Sequence, residues 1–192
     1  MMTTVKLEPA FSLSPEQFYH LCRQNPDLKF ERNTNGELII MPPTGGETGR
    51  KNATLISRFV IWNETYDLGI VFDSSTCFRL PLGSDRSPDV SWVKKERWER
   101  LTKEEKIKFP PLCPDFVLEL LSPSDNLPTT QGKMQEYLDN GAKLGWLINP
   151  QLQQVEIYRP QKPVEILQSP TKISGESVLA NFALNLAWLW QS

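Results

Sequence analysis

An apolar run of strand length, Phe116, Val117, Leu118, Leu120 and Leu121, stands between Pro114 and Ser122-Pro123-Ser124. Consecutive apolar positions leave no face for solvent, so the run reads as a strand covered on both sides, deep in a sheet. Glu119 sits inside it. A carboxylate is costly to bury without a partner, so a cation, a lysine or a metal ion, must meet it there. This demand constrains the chain more than any other feature.

The remainder falls into elements that can surround such a strand. Ser14-Pro15-Glu16-Gln17 is a helix start, with Ser as N-cap and Pro at the first helical position, and Phe18, Leu21 and Cys22 mark its apolar face. Residues 28–32 and 37–41 form a hairpin about Asn33-Thr34-Asn35-Gly36. A helix follows over about residues 47–66, with Leu55, Ile56, Phe59, Val60 and Trp62 near one face. Residues 69–72, 76–82 and 87–93 read as strands. The charged stretch 94–108 reads as a solvated helix, with Glu96–Arg100 and Glu99–Lys103 spaced as i,i+4 pairs, and as a lid or excursion between two central strands. Residues 129–140 form a helix stopped by Gly141, with Met134, Tyr137 and Leu138 inward. Strands at 144–148 and 154–158 flank Asn149-Pro150, with an edge strand at 164–167. The tail 182–190 is apolar at every even position yet also fits a helix, and both readings stand. The order implies one α/β domain over residues 1–192, a central mixed β-sheet flanked by helices, with a helical insertion at 94–112 and a C-terminal extension at 168–192.

Composition removes several function classes. The net charge is −2, without the Lys/Arg surplus that gripping a long nucleic-acid backbone requires, so a nucleic-acid contact must be local or shared between subunits. One histidine, His20, leaves no material for a Ser-His-Asp, Cys-His or His-metal centre within the chain, and it reads as packing or surface. Cys22, Cys77 and Cys113 are scattered and odd in number, fitting neither a disulfide framework nor a CxxC zinc site. The N-terminal residues lack a basic stretch and a sustained apolar segment, and no run approaches the roughly 20 apolar residues of a membrane helix. A cytoplasmic protein with no membrane partner is expected.

Asp89, within Ser87-Pro88-Asp89-Val90, lies on a strand that should neighbour the one carrying Glu119. Two carboxylates at one level on adjacent strands make a hard oxygen site, and Mg²⁺ takes one or two carboxylates plus waters and substrate phosphates. Lys133 lies on the next helix, one turn before Tyr137, where its ammonium can point at the pair. Each residue also has a plainer role: Asp89 as a strand-end cap, Glu119 in a structural ion pair, Lys133 on a solvated face with Lys143 as its substitute. Asp115 reads as a turn residue, and the Trp-rich tail as core or subunit contact.

Pro-Asp, then a hydrophobic strand carrying Glu, then a helical Lys, resembles the PD-(D/E)xK nuclease superfamily. More closely, residues 14–158 resemble a restriction-endonuclease family first catalogued as a domain of unknown function. The likeness is carried by Ser87-Pro88-Asp89-Val90, the 114–124 motif, Lys133 with Tyr137, Gly141 and Trp146-Leu147-Ile148-Asn149-Pro150. It implies a restriction-endonuclease-like fold and hydrolysis of DNA phosphodiesters dependent on Mg²⁺, or Mn²⁺ in its place. Asp89 and Glu119 would then be catalytic metal ligands and Lys133 the catalytic lysine. Glu47 would be a further acid, at the start of the helix after Pro42-Pro43, although the helix dipole favours an acid there in any case. A homodimer is expected, so that two sites reach two strands. The chain departs from the superfamily at Leu121, where a lysine would stand two residues beyond the glutamate, and by the insertion. The competing reading is a catalytically degenerate nuclease fold acting as a nucleic-acid-binding or regulatory module. A third is an interaction domain whose acids are merely ion-paired.

Overall fold

The computed structural model describes residues 3–7 and 11–191. Its elements are β1 (Thr3–Val5), α1 (Pro15–Gln24), β2 (Lys29–Arg32), β3 (Leu38–Met41), α2 (Gly46–Tyr66), β4 (Gly69–Asp73), β5 (Phe78–Arg79), β6 (Asp85–Arg86), β7 (Val90–Lys94), α3 (Lys95–Glu99), α4 (Lys103–Ile107), β8 (Phe116–Leu120), α5 (Leu127–Asp139), β9 (Leu144–Asn149), β10 (Gln154–Tyr158), β11 (Glu165–Gln168), β12 (Lys172–Ser174) and β13 (Ala183–Asn185).

The large sheet has the order β11-β10-β9-β8-β7-β4. It is mixed because β8 and β9, joined through α5, run parallel, while its other neighbours are antiparallel. Every residue of β8 is buried, as continuous apolarity demanded. The alternation of a strand sends its side chains to two different cores. Phe116, Leu118 and Leu120 join Leu55, Phe59 and Trp62 of α2. Val117, with Leu121 just past the strand, joins Met134 and Tyr137 of α5. Glu119 falls on this second face, which aims it at α5.

A second, antiparallel sheet, ordered β1-β3-β2-β6-β5, lies beside the first. Its hairpin brings β2 to the same end of the molecule as the start of β7. The tail resolves into β13 paired with β12. Phe182, Leu184 and Leu186 are buried in the core over α2, because alternate apolar positions share a face only in extended chain.

The stretch after β7 is helical but broken. Thr102 caps a new helix in a capping box with Glu105, so α3 and α4 are separate. Glu96 pairs with Lys94 rather than with Arg100. Nor is the stretch a lid. It leaves the far end of β7 from Asp89, packs Trp98 against Phe72 with ring centres 5.1 Å apart, and contributes nothing to the wall of the cavity described below. Among the described residues no helix is long and apolar enough to cross a membrane.

Candidate active site

Antiparallel pairing of β7 with β8 sets Val90 opposite Leu118. Carrying that register one residue further sets Asp89 opposite Glu119, side chains on one face. Asp89 Oδ2 accepts the Leu120 backbone N–H at 2.8 Å, and Oδ1 accepts Nδ2 of Asn52, on α2, at 3.3 Å. The Asn126 cap starts α5, and positions four apart on a helix share a face. Lys133 and Tyr137 therefore both reach Glu119 Oε1, Lys133 Nζ standing 2.8 Å away and the Tyr137 hydroxyl donating at 3.0 Å. Asp89, Glu119 and Lys133 thus converge on a cavity of about 850 Å³.

Glu47 lines the same cavity but stays apart from the trio. It is exposed and pairs with Arg50 at 3.0 Å on its own helix, which holds its carboxyl below the usual value. Lys143 is not in the cavity wall, so Lys133 needs no substitute. Asp115 lies at the opposite end of the strands, accepting the Lys94 N–H at 2.9 Å and pairing with Arg97 at 2.8 Å.

One further acid is central. Glu31 of β2 is buried, and its Oε1 lies 2.9 Å from Lys133 Nζ while accepting the Ser87 N–H at 2.9 Å. Arg86 donates to Glu31 Oε2 at 3.0 Å and grips Glu136 through Nε and Nη2. Lys133 is therefore shared between two carboxylates, and they divide its effect unequally. Burial pushes Glu31 up, but Lys133 and Arg86 outweigh it and hold that carboxyl down at about 2. Burial pushes Glu119 up to about 7, opposed by Lys133 and reinforced by the Asp89 and Glu31 charges. Asp89 is also raised by burial. Burial works against the Lys133 ammonium, but Glu119 and Glu31 prevail and hold its pKa above the ordinary value.

These features fit a hard divalent cation. Two carboxylates of like charge face each other with raised pKa values, a state that a cation between them relieves. Beside them the Oδ1 of Asn52 is buried with no hydrogen-bond donor, an orphaned oxygen of the kind that a bound ion or water satisfies. Among the described residues no group of three or more His, Cys, Asp and Glu is placed to hold a metal. Two carboxylates are a set that Mg²⁺ accepts, since it leaves its other positions to waters and substrate.

Residues 15–187 match the family Uma2, described as "Putative restriction endonuclease". The chain belongs to the Uma2 family. A solved structure described as "a putative nuclease belonging to DUF820", from Anabaena variabilis, shares the fold with a TM-score of 0.71 at 23% identity, over 84% of this chain and 89% of that one. No curated protein matches the sequence. The resemblance read from the motifs and the mixed-sheet fold are both borne out.

Glu31 and Arg86 escaped the sequence reading. A signal existed in the hairpin. Leu38-Ile39-Ile40-Met41 is apolar at every position, which points to a strand with little solvent on either face and makes the adjacent Glu31 and Arg32 of its partner candidates for burial. Both are indeed buried, Arg32 against Asp85 at 2.7 Å.

Proposed function

We propose that this Uma2-family chain is a metal-dependent endonuclease that hydrolyses DNA phosphodiesters at Asp89, Glu119 and Lys133. The observation that carries the reading is the Lys133 ammonium held 2.8 Å from Glu119, with Asp89 alongside and an open cavity before them. The family's description and the shared fold of a protein described as a nuclease support it.

Asp89 and Glu119 would hold the ion, Mg²⁺ or Mn²⁺. That ion would supply positive charge to a phosphoryl oxygen and acidify a water. The protein's own share is orientation and charge. Asn52 and the Leu120 N–H fix Asp89, and the Tyr137 hydroxyl fixes Glu119. Lys133, held protonated by its two carboxylates, offers its ammonium to the negative charge that builds as the phosphoryl group is attacked. Glu47, at the cavity rim, has the weakest claim to a catalytic role. A homodimer would present two such sites to the two strands of a duplex.

Supercoiled plasmid incubated with Mg²⁺ or Mn²⁺ is expected to be nicked, and Lys133→Met to slow nicking by about 10²-fold or more. The degenerate reading draws on Leu121 in the motif lysine position and on the engagement of Lys133 by two carboxylates. Plasmid left intact in both metals but retarded on a gel would favour it. Neither nicking nor retardation would sink both readings. Mg²⁺ should also raise the Tm of the wild type and leave that of Asp89→Asn unchanged, because ligand binding stabilises only the protein that binds it. Equal shifts would remove Asp89 as a ligand.

A further inference from the structure

The cavity wall is acid-rich: seven Asp or Glu residues line it against three Lys or Arg. A polyanionic substrate meets net repulsion there, so any unengaged cation on the wall matters. Two of the three cations are committed. Arg86 is clamped between Glu31 and Glu136, and Lys133 between Glu31 and Glu119. The third is Lys29, which makes no ion pair with the described residues.

Its placement follows from strand geometry. Lys29 and Glu31 are two apart on β2, hence on one face, opposite Met41 and Ile39 of β3. All four line the cavity, so this face of the hairpin is one of its walls. Lys29 is half-buried, and its charge is felt at Asp89. A lysine on a solvated face would have no reason to point into an acidic cleft without pairing. One that receives a phosphate would stay unpaired until the phosphate arrives.

Resting on the nuclease reading of this site, we propose that Lys29 is a substrate-binding residue that seats a DNA phosphate beside the Asp89–Glu119 pair. It contributes to binding and not to the chemical step, since it touches neither Glu119 nor Lys133. Among the described residues it is the one cation of the wall without an ion pair, so it adds to the site's electrostatic attraction for DNA.

The test measures binding apart from cleavage. Fluorescence anisotropy with a labelled 20-nucleotide strand and its duplex, in Ca²⁺, gives Kd across a salt series for wild type, Lys29→Met and Lys29→Arg. Lys29→Met is expected to weaken binding about fivefold for any sequence and to lower the slope of log Kd against log salt by about one. Lys29→Arg should keep both. In Mg²⁺, Lys29→Met should raise KM with kcat within about twofold. An unchanged Kd and salt slope in Lys29→Met would overturn the proposal, as would wild type that binds neither form of DNA. Wild type that binds through Lys29 but never nicks would uphold the proposal and fail the nuclease reading instead.

Discussion

Glu119→Gln is expected to lose the proposed DNA cleavage by at least about 10³-fold, yet in EDTA at pH 8 to melt higher than the wild type. Both halves come from one environment. The carboxylate is the acid closest to the Lys133 ammonium and one of two proposed metal ligands, so its removal takes away ion and orientation together. The same carboxylate is pushed by burial from an ordinary 4.5 to about 7. Between those values the folded chain binds more protons than the unfolded one, so folding stability falls as pH rises through the window. A neutral glutamine escapes that loss. The expected gain above pH 7 is about 3 kcal/mol, or roughly 6–12 °C for a chain of this length, and it vanishes by about pH 4, where the wild-type acid is protonated too. Melting curves from pH 4 to 8 in EDTA, beside single-turnover plasmid cleavage in Mg²⁺, decide the matter. A variant that loses cleavage while its Tm falls would make Glu119 a structural acid of an ion pair. A variant that still cleaves would end the nuclease reading at this site.

The penalty for burying that carboxylate is why Glu119 was legible at all. Its cost shows in the sequence as a charge inside an apolar strand. Asp89 was legible through strand geometry, because residues on neighbouring strands at one level come together whatever the length of the excursion between them. Lys133 followed from its place one helical turn before Tyr137. What could not be read was contact between elements far apart along the chain. Glu31 meets Arg86 and Lys133 at separations of 55 and 102 residues, and neither contact leaves any periodicity along the chain. Glu47 is ambiguous in a different way. An acid in a helix's first turn satisfies the dipole and a catalytic role alike, and the structure pairs its charge with Arg50, one turn on. The break between α3 and α4 was written in Thr102 and Glu105, a capping box inside an otherwise continuous charged run, which i,i+4 spacing alone overlooks.

Arg86→Met is expected to be the most destabilising single change near the site. Arg86 is buried and bonds both Glu31 and Glu136, so its loss strands one fully buried carboxylate and one nearly buried. Breaking a buried ion pair from one side costs about 3–5 kcal/mol, which lowers Tm by roughly 6–20 °C here. The pH dependence identifies the cause. With Lys133 and Arg86 in place, the Glu31 carboxyl is held at about 2, below its unfolded value. Its contribution to stability is therefore fully present above the unfolded pKa and lost as pH falls through about 2. Without Arg86 the carboxyl rises and that contribution shrinks, so wild type and variant should differ most above about pH 5 and converge toward pH 2. The double variant Glu31→Gln/Arg86→Met should lose less than the two single losses together, because it removes both ends of one contact. Melting curves from pH 2 to 7 for the four proteins measure all of this. A Tm gap that stays constant with pH, or single losses that simply add, would show that Arg86 stabilises by packing and not through Glu31. The same four proteins bear on the site, for Glu31 shares the Lys133 ammonium with Glu119. If the buried pair sets the position of the ammonium, Glu31→Gln should cleave more slowly than the wild type even at temperatures well below its Tm.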